Sequence, residues 1–201
     1  MRPRLLLATN NAGKVKEYRS LLAGIPFDTV TPKEQGITMA IEETGDTYRE
    51  NARLKACALA AQSGLPALAD DSGIEVDALY GAPGVISARY AGENASDAER
   101  VSFLLSQLKD VPQEKRTARF YCVIAVAQPD GKVDFCDGEC KGLITLKPWG
   151  ANGFGYDPVF YLPEFGKTMA ELPADVKNRI SHRAKAAQKV KLLLLKMAGT
   201  V

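Results

Sequence analysis

Short unbroken apolar runs alternate along the chain with segments whose apolar positions recur at helical spacing. Leu5–Thr9 and Phe27–Val30 read as strands, with a helix between them over about Lys14–Leu22. After a polar loop, Thr47-Tyr-Arg-Glu50 has the spacing of a capping box and opens a helix through about Gln62. Ala52, Ala56, Leu59, Ala60 and Ser63 mark its packed face, and Asn51 and Lys55 are neighbours on another. Ala67–Asp70 is the next strand and Ile74–Val76 another. A second capping box, Ser96-Asp-Ala-Glu99, starts a helix to about Leu108. Thr117–Ala127 is the longest strand-like run, turned back by Pro129-Asp130-Gly131 into Val133–Cys136 as a hairpin. Pro158–Tyr161 reads as one more strand, and Ser181 as the N-cap of a last helix reaching about Met197, with Gly199 as its stop. Strands interleaved with helices, plus one hairpin, indicate an α/β protein with a mixed sheet. The two longest helices and the hairpin suggest two lobes with a groove between them. The C-terminal run Lys191–Lys196 is expected to pack into the core in preference to a dimer contact.

At 201 residues the chain fits one large domain or two small lobes, with enough buried surface to need no covalent staples. A hydrophobic fraction of 46% with 25% charged residues is that of an ordinary soluble protein. The formal charge of +2 is too small to argue for nucleic acid or membrane binding. The basic start Met1-Arg-Pro-Arg4 leads into only a short apolar run, which reads as a strand and not a signal peptide. Nothing approaches the ~18 apolar residues of a membrane span. Cys57, Cys122, Cys136 and Cys140 have no framework spacing. Cys136-x3-Cys140 lacks the second ligand pair a zinc site needs, since His182 is the sole histidine. Reduced thiols and a cytoplasmic location are expected.

Chemistry concentrates in a few segments. In Ala67-Leu-Ala-Asp-Asp-Ser-Gly-Ile74 a buried strand runs into two adjacent carboxylates, Asp70 and Asp71. Presented side by side at a strand end, two like charges raise each other's pKa unless a cation lies between them. Mg²⁺ accepts such hard oxygen ligands together with substrate phosphates, although Asp-Asp-Ser-Gly is also good turn chemistry. The turn Thr9-Asn10-Asn11-Ala12-Gly13-Lys14 follows a strand and opens a helix, a place that favours anions. It lacks Walker A spacing, and such turns also occur in ordinary α/β folds. Glu42-Glu43-Thr44-Gly45 is a second acidic pair, either solvated or folded over the strand end near Lys55. In Pro148–Asp157, three glycines interleave with Trp149, Phe154 and Tyr156. Trp149 and Tyr156 suit a core turn as well as a ligand; Phe154, between two glycines, suits stacking on a planar base. Ser181-His182-Arg183 places a cationic pair at a helix start, where the dipole disfavours it.

Taken together and in order, these segments resemble the inosine/xanthosine triphosphate pyrophosphatase family, which hydrolyses non-standard purine nucleoside triphosphates. The matching pieces are Ala8-Thr-Asn-Asn-Ala-Gly-Lys14, Glu43-Thr-Gly45 with Glu50-Asn-Ala52 and Lys55, Ala69-Asp-Asp-Ser-Gly73, Gly81-Ala-Pro-Gly84 with Ser87-Ala-Arg-Tyr90, Gly153-Phe-Gly-Tyr-Asp-Pro158 and Ser181-His-Arg183. They run nearly end to end; position 10, often glycine in that family, is Asn10 here. The resemblance implies a single domain over residues 1–201, with an elongated central mixed sheet flanked by helices and two lobes enclosing a substrate cleft. It implies a homodimer and cleavage between the α- and β-phosphates of dITP, ITP and XTP with Mg²⁺. By the same resemblance Asp71 is the general base, Asp71 and Glu43 ligate the metal, and Asp70 supports them. Thr9, Asn10, Asn11, Ala12, Gly13, Lys14, Lys55 and Ser72 would hold the triphosphate. Phe154, Gly155, Tyr156, Asp157, Lys177, His182 and Arg183 would hold the base and adjacent groups.

Donors from His182 and Arg183 would satisfy the 6-oxo acceptor of hypoxanthine or xanthine and mismatch the amino group of adenine. Two rivals stand beside this reading: a pyrophosphatase for modified pyrimidines or dTTP, and a non-catalytic nucleotide or nucleic-acid binder.

Overall fold

Three consecutive leucines, Leu5 to Leu7, are completely buried because β1 (Arg4–Leu7) is flanked by neighbours on both edges. The computed structural model describes residues 2–38 and 41–199. β1 pairs in parallel with β2 (Asp28–Val30) and with β3 (Ala67–Val76). Beyond β3 come β4 (Thr117–Ala127), β5 (Val133–Ile144), β6 (Phe160–Leu162) and β7 (Lys167–Thr168). The sheet has seven strands in the order β2-β1-β3-β4-β5-β6-β7, and the β5–β6 and β6–β7 pairs are antiparallel. The expected α/β class with a mixed sheet is therefore observed.

The helices are α1 (Ala12–Leu21), α2 (Tyr48–Ser63), α3 (Asp97–Gln107), α4 (Ala174–Ile180) and α5 (His182–Met197). Both capping boxes form: Thr47 with Glu50 and Ser96 with Glu99 each exchange side-chain and backbone hydrogen bonds. Of the expected packed face of α2, Ala52, Ala56, Leu59 and Ala60 are buried and Ser63 is half-buried.

Contacts divide the chain into two compact units. One comprises Met1–Asp71, Cys122–Gly138 and Arg183–Val201; the other comprises Ser72–Tyr121 and Glu139–His182. The core of the first gathers Leu5, Leu7, Tyr18, Leu22, Leu68, Ile124 and Val190 around β1. Within the C-terminal run, Leu194 is buried in this core with Leu193 partly so, while Leu192 is exposed. The second unit has its own core of Ile74, Leu104, Leu108, Phe120, Val159 and Phe160.

The strands differ from the sequence reading in instructive ways. β3 does not stop at Asp70 but continues through Ser72 and Gly73 to Val76, absorbing the expected turn. β5 continues past Cys136 to Ile144, where Gly142 lets β6 approach: a Cβ there would collide with the Tyr161 carbonyl. β6 begins at Phe160 because Pro158 sits in a single 3-10 turn, Asp157–Val159. β7, of two residues, and α4, of seven, are too short for a periodic signal.

Candidate active site

The continuity of β3 changes the relation between the two aspartates. Neighbouring residues in a strand point to opposite faces, so Asp70 and Asp71 are not the side-by-side pair expected at a strand end. Each is buried with its own cations.

Asp70 Oδ2 lies 3.0 Å from Lys14 Nζ and 3.4 Å from both Nε and Nη2 of Arg183. Arg183 Nη1 donates to Glu17 Oε2 at 2.7 Å. Burial pushes the Asp70 carboxyl up, but Lys14, Arg183 and Lys55 outweigh it and hold the group well below the usual carboxylate range. Asn11 caps α1, its side-chain oxygen accepting the Lys14 N–H at 3.0 Å, and Thr9 Oγ1 accepts the Asn11 N–H at 3.2 Å. These bonds use acceptor oxygens, so the Asn11 amide nitrogen and the Thr9 hydroxyl keep their donor capacity. Asn10, Asn11 and Ala12 are exposed at the mouth of this turn, and Gly13 is half-buried.

Asp71 lies in a second cluster of the same unit. Lys55 Nζ is 2.8 Å from Glu43 Oε1 and 3.8 Å from Asp71 Oδ1, so one ammonium serves two carboxylates. Burial raises the Asp71 pKa, Lys55 opposes it, Glu43 adds to it, and the group ends above its ordinary value. Burial pulls Lys55 down, but Asp71, Asp70 and Glu43 together raise it. Among the described residues no cluster of three or more His, Cys, Asp or Glu side chains could cage a metal. Any ion here would meet two carboxylates and complete its shell elsewhere. All four cysteines are free thiols, and burial near Asp70 pushes Cys122 up to about 12.

In the other unit, the glycine-rich loop closes on itself. Asp157 Oδ2 accepts the Phe154 N–H at 2.9 Å and the Lys177 ammonium at 2.5 Å, and Lys177 Nζ stands 4.8 Å from the centre of the Phe154 ring. Gly153 has φ +78° and is packed so tightly on Asp157 that a Cβ would collide with the carboxylate. The Gly155 N–H is taken by Asp97 Oδ2 at 2.6 Å. Tyr156 is a buried core residue whose hydroxyl donates to the Ser87 carbonyl at 2.8 Å. Trp149 is half-exposed with the Lys147 ammonium over its ring. His182 is buried and stacks on Phe120, centroids 4.7 Å apart at 14°. Ser72 is half-buried on β3, directly after Asp71.

A family model for the Ham1 family matches residues 5–192. The chain belongs to the Ham1 family. It is 51% identical over 191 residues to a dITP/XTP pyrophosphatase of Desulforamulus reducens, covering 95% of each chain. It is also 51% identical to a dITP/XTP pyrophosphatase of Shigella flexneri, over 95% of this chain and 96% of that one. Among solved structures, a HAM1 protein from Coxiella burnetii superposes with a TM-score of 0.88 at 43% identity, covering 96% of this chain and 99% of that one. A nucleoside-triphosphatase/dITP/XTP pyrophosphatase from Mycobacterium abscessus gives 0.73 at 37% identity, covering 93% and 97%.

In this Ham1 chain Arg183 is a buried side chain. All three of its guanidinium nitrogens bond to Asp70 and Glu17, because a buried cation needs carboxylate partners. Two participants were given no site role in the sequence reading. Glu17 stands one helical turn beyond Lys14 on α1, a spacing that signals a shared face. Asn51 is completely buried on α2; its amide donates to Asp71 Oδ2 and to the Gly45 carbonyl, both at 3.2 Å, and its oxygen accepts the Gly45 N–H at 2.8 Å. Its signal was a polar residue beside Ala52, in the first turn of a capped helix.

Proposed function

We propose that this Ham1 protein hydrolyses dITP, ITP and XTP to the nucleoside monophosphate and pyrophosphate, removing them from the nucleotide pool. The observation that carries the reading is the pair of carboxylates, Glu43 and Asp71, served by the single ammonium of Lys55. Relatives with about half their residues identical to this chain bear the name dITP/XTP pyrophosphatase, which supports the substrate class.

Hydrolysis of the α–β anhydride joins a water oxygen to phosphorus, breaks the bridging P–O bond and leaves pyrophosphate. On this reading Asp71 accepts the proton of the attacking water. Its raised pKa makes it a stronger base than an ordinary carboxylate. Asn51 holds the Asp71 carboxylate in place. Lys14 and Lys55 offset charge on the phosphates and on the leaving group, with the Thr9 hydroxyl, the Asn11 amide, Ser72 and the Ala12 and Gly13 N–H groups as further donors. Arg183 acts through Asp70, keeping that carboxylate ionised and turned toward Lys14.

The donor set fits Mg²⁺, which takes one or two carboxylates plus phosphate oxygens. Glu43 and Asp71 would hold it. When bound, it would neutralise phosphate oxygens and lower the pKa of a coordinated water.

Phe154, with Lys177 and Asp157 behind it, is the stacking platform for the base, and His182 supplies a donor to the 6-oxo group. Stacking on Phe120 fixes the His182 ring plane, so its nitrogens point along the ring edge. A cytoplasmic homodimer, one domain made of two lobes, belongs to the same proposal; the free thiols and the family resemblance support it. No helix among the described residues is long and apolar enough to cross a membrane.

The test is pyrophosphate release from ITP, dITP, XTP, GTP, ATP and dTTP, each with Mg²⁺ and with EDTA. Metal-dependent release from ITP, dITP and XTP, with little from ATP or dTTP, supports the reading. Preference for dTTP would transfer the site to the pyrimidine alternative. Binding without release would favour the non-catalytic one.

A further inference from the structure

We propose that Asp97 is a positioning residue that fixes the direction of the Phe154 ring and thereby the enzyme's discrimination between purine bases. The inference rests on the assignment of Phe154 as the base platform.

Phe154 sits between Gly153 and Gly155, both at positive φ, so its neighbours supply no steric reason for the ring to point one way. Two carboxylates supply that reason. The peptide before the Phe154 Cα is held through its N–H by Asp157 at 2.9 Å, and the peptide after it through the Gly155 N–H by Asp97 at 2.6 Å. With both flanking peptide planes anchored, φ and ψ of Phe154 are fixed together. Asp157 is local to the loop, whereas Asp97 lies 58 residues away and ties the loop to the start of α3.

Asp97 is not the residue that caps α3. The α3 capping box is made by Ser96 and Glu99 and does not use it. Its second oxygen, Oδ1, pairs with Arg100 one turn along. Arg100 also donates to the carbonyls of Ala88 at 2.9 Å and Ala95 at 2.6 Å. The segment that carries Ala88 also accepts the Tyr156 hydroxyl through Ser87. Asp97 and Arg100 thus tie the loop, the Gly84–Arg89 turn and the first turn of α3 into one frame. The Asp97 side chain is 45% exposed, so replacing it opens no core cavity.

The test compares D97A and D97N with the wild type by steady-state kinetics on ITP and ATP with Mg²⁺, and by hydrogen–deuterium exchange of the Gly155 amide. For D97A the expected result is a KM for ITP raised about tenfold, kcat within about twofold, and a narrowed ITP-to-ATP ratio of kcat/KM. D97N keeps an acceptor for Gly155 but loses the charge pair with Arg100, so it restores most of the KM. Exchange at Gly155 speeds up in D97A and much less in D97N. Wild-type kinetics for D97A, or a fall in kcat at unchanged KM, overturns the positioning role. Unchanged Gly155 exchange overturns the anchor itself. If the wild type releases no pyrophosphate from ITP, the functional reading fails and purine selection by Asp97 falls with it.

Discussion

Asn51 donates to Asp71 from 3.2 Å while clasping Gly45 through both of that residue's backbone polar groups. One buried amide therefore sets the position of the Asp71 carboxylate and of the loop that carries Glu43. Gly45 packs so closely on α2 that a Cβ would lie 2.6 Å from Glu50 Cβ, which is why the loop needs glycine there. N51A should leave the Gly45 groups unsatisfied, costing about 1–3 kcal/mol of stability. It should also lower kcat by roughly ten- to a hundredfold. Thermal denaturation and ITP turnover measured together check this; full activity in a destabilised variant would confine Asn51 to the fold.

Asp70 and Asp71 should separate in mutagenesis. D70N strips the half-buried Lys14 and the buried Arg183 of a shared counter-ion and should cost about 3–5 kcal/mol. The folded-state pKa of Asp70 is depressed, so its stabilisation is complete above the unfolded value of about 3.9 and is lost as pH falls from there toward the folded value. The stability gap between wild type and D70N, measured by urea denaturation, should be constant near neutrality and close below about pH 4. A gap that persists in acid would remove the ion cluster as its cause.

D71N, by contrast, should abolish turnover and leave the fold intact. The Asp71 pKa is raised in the folded protein, so its ionised form is disfavoured there and the asparagine relieves a cost at neutral pH in the metal-free protein. Equal or slightly higher denaturation midpoints are expected. In the wild type the acid limb of kcat/KM should fall at a pH above the ordinary carboxylate value of about 3.9. Near-normal kcat in D71N would take Asp71 out of the chemistry.

His182 is expected to read the 6-oxo group. H182A should erode the preference for ITP over ATP by roughly ten- to a hundredfold in the ratio of kcat/KM values, with turnover of ITP retained in part. An unchanged ratio would assign base selection elsewhere.

The strands and helices that carry the site were legible because their signals are local. The two capping boxes, the unbroken run of β4 and the alanine stripe of α2 each specify structure within a few residues. What escaped depends on contacts across the chain. The extension of β3 through Ser72 and Gly73 overrides local turn chemistry, and with it goes the idea of two adjacent carboxylates acting as one pair. The partners of Arg183 lie in α1 and β3, far away in sequence, so nothing near Ser181-His182-Arg183 announces them. Asn51 was visible as a polar residue beside a packed helical face, but its bonds to Gly45 and Asp71 needed the fold.

The most direct test of the account is to identify the products of ITP after incubation with Mg²⁺ by ³¹P NMR. Inosine monophosphate and pyrophosphate appearing in equal amounts, in wild type and not in D71N, is the predicted result. Inosine diphosphate with inorganic phosphate, or unchanged ITP, would contradict it.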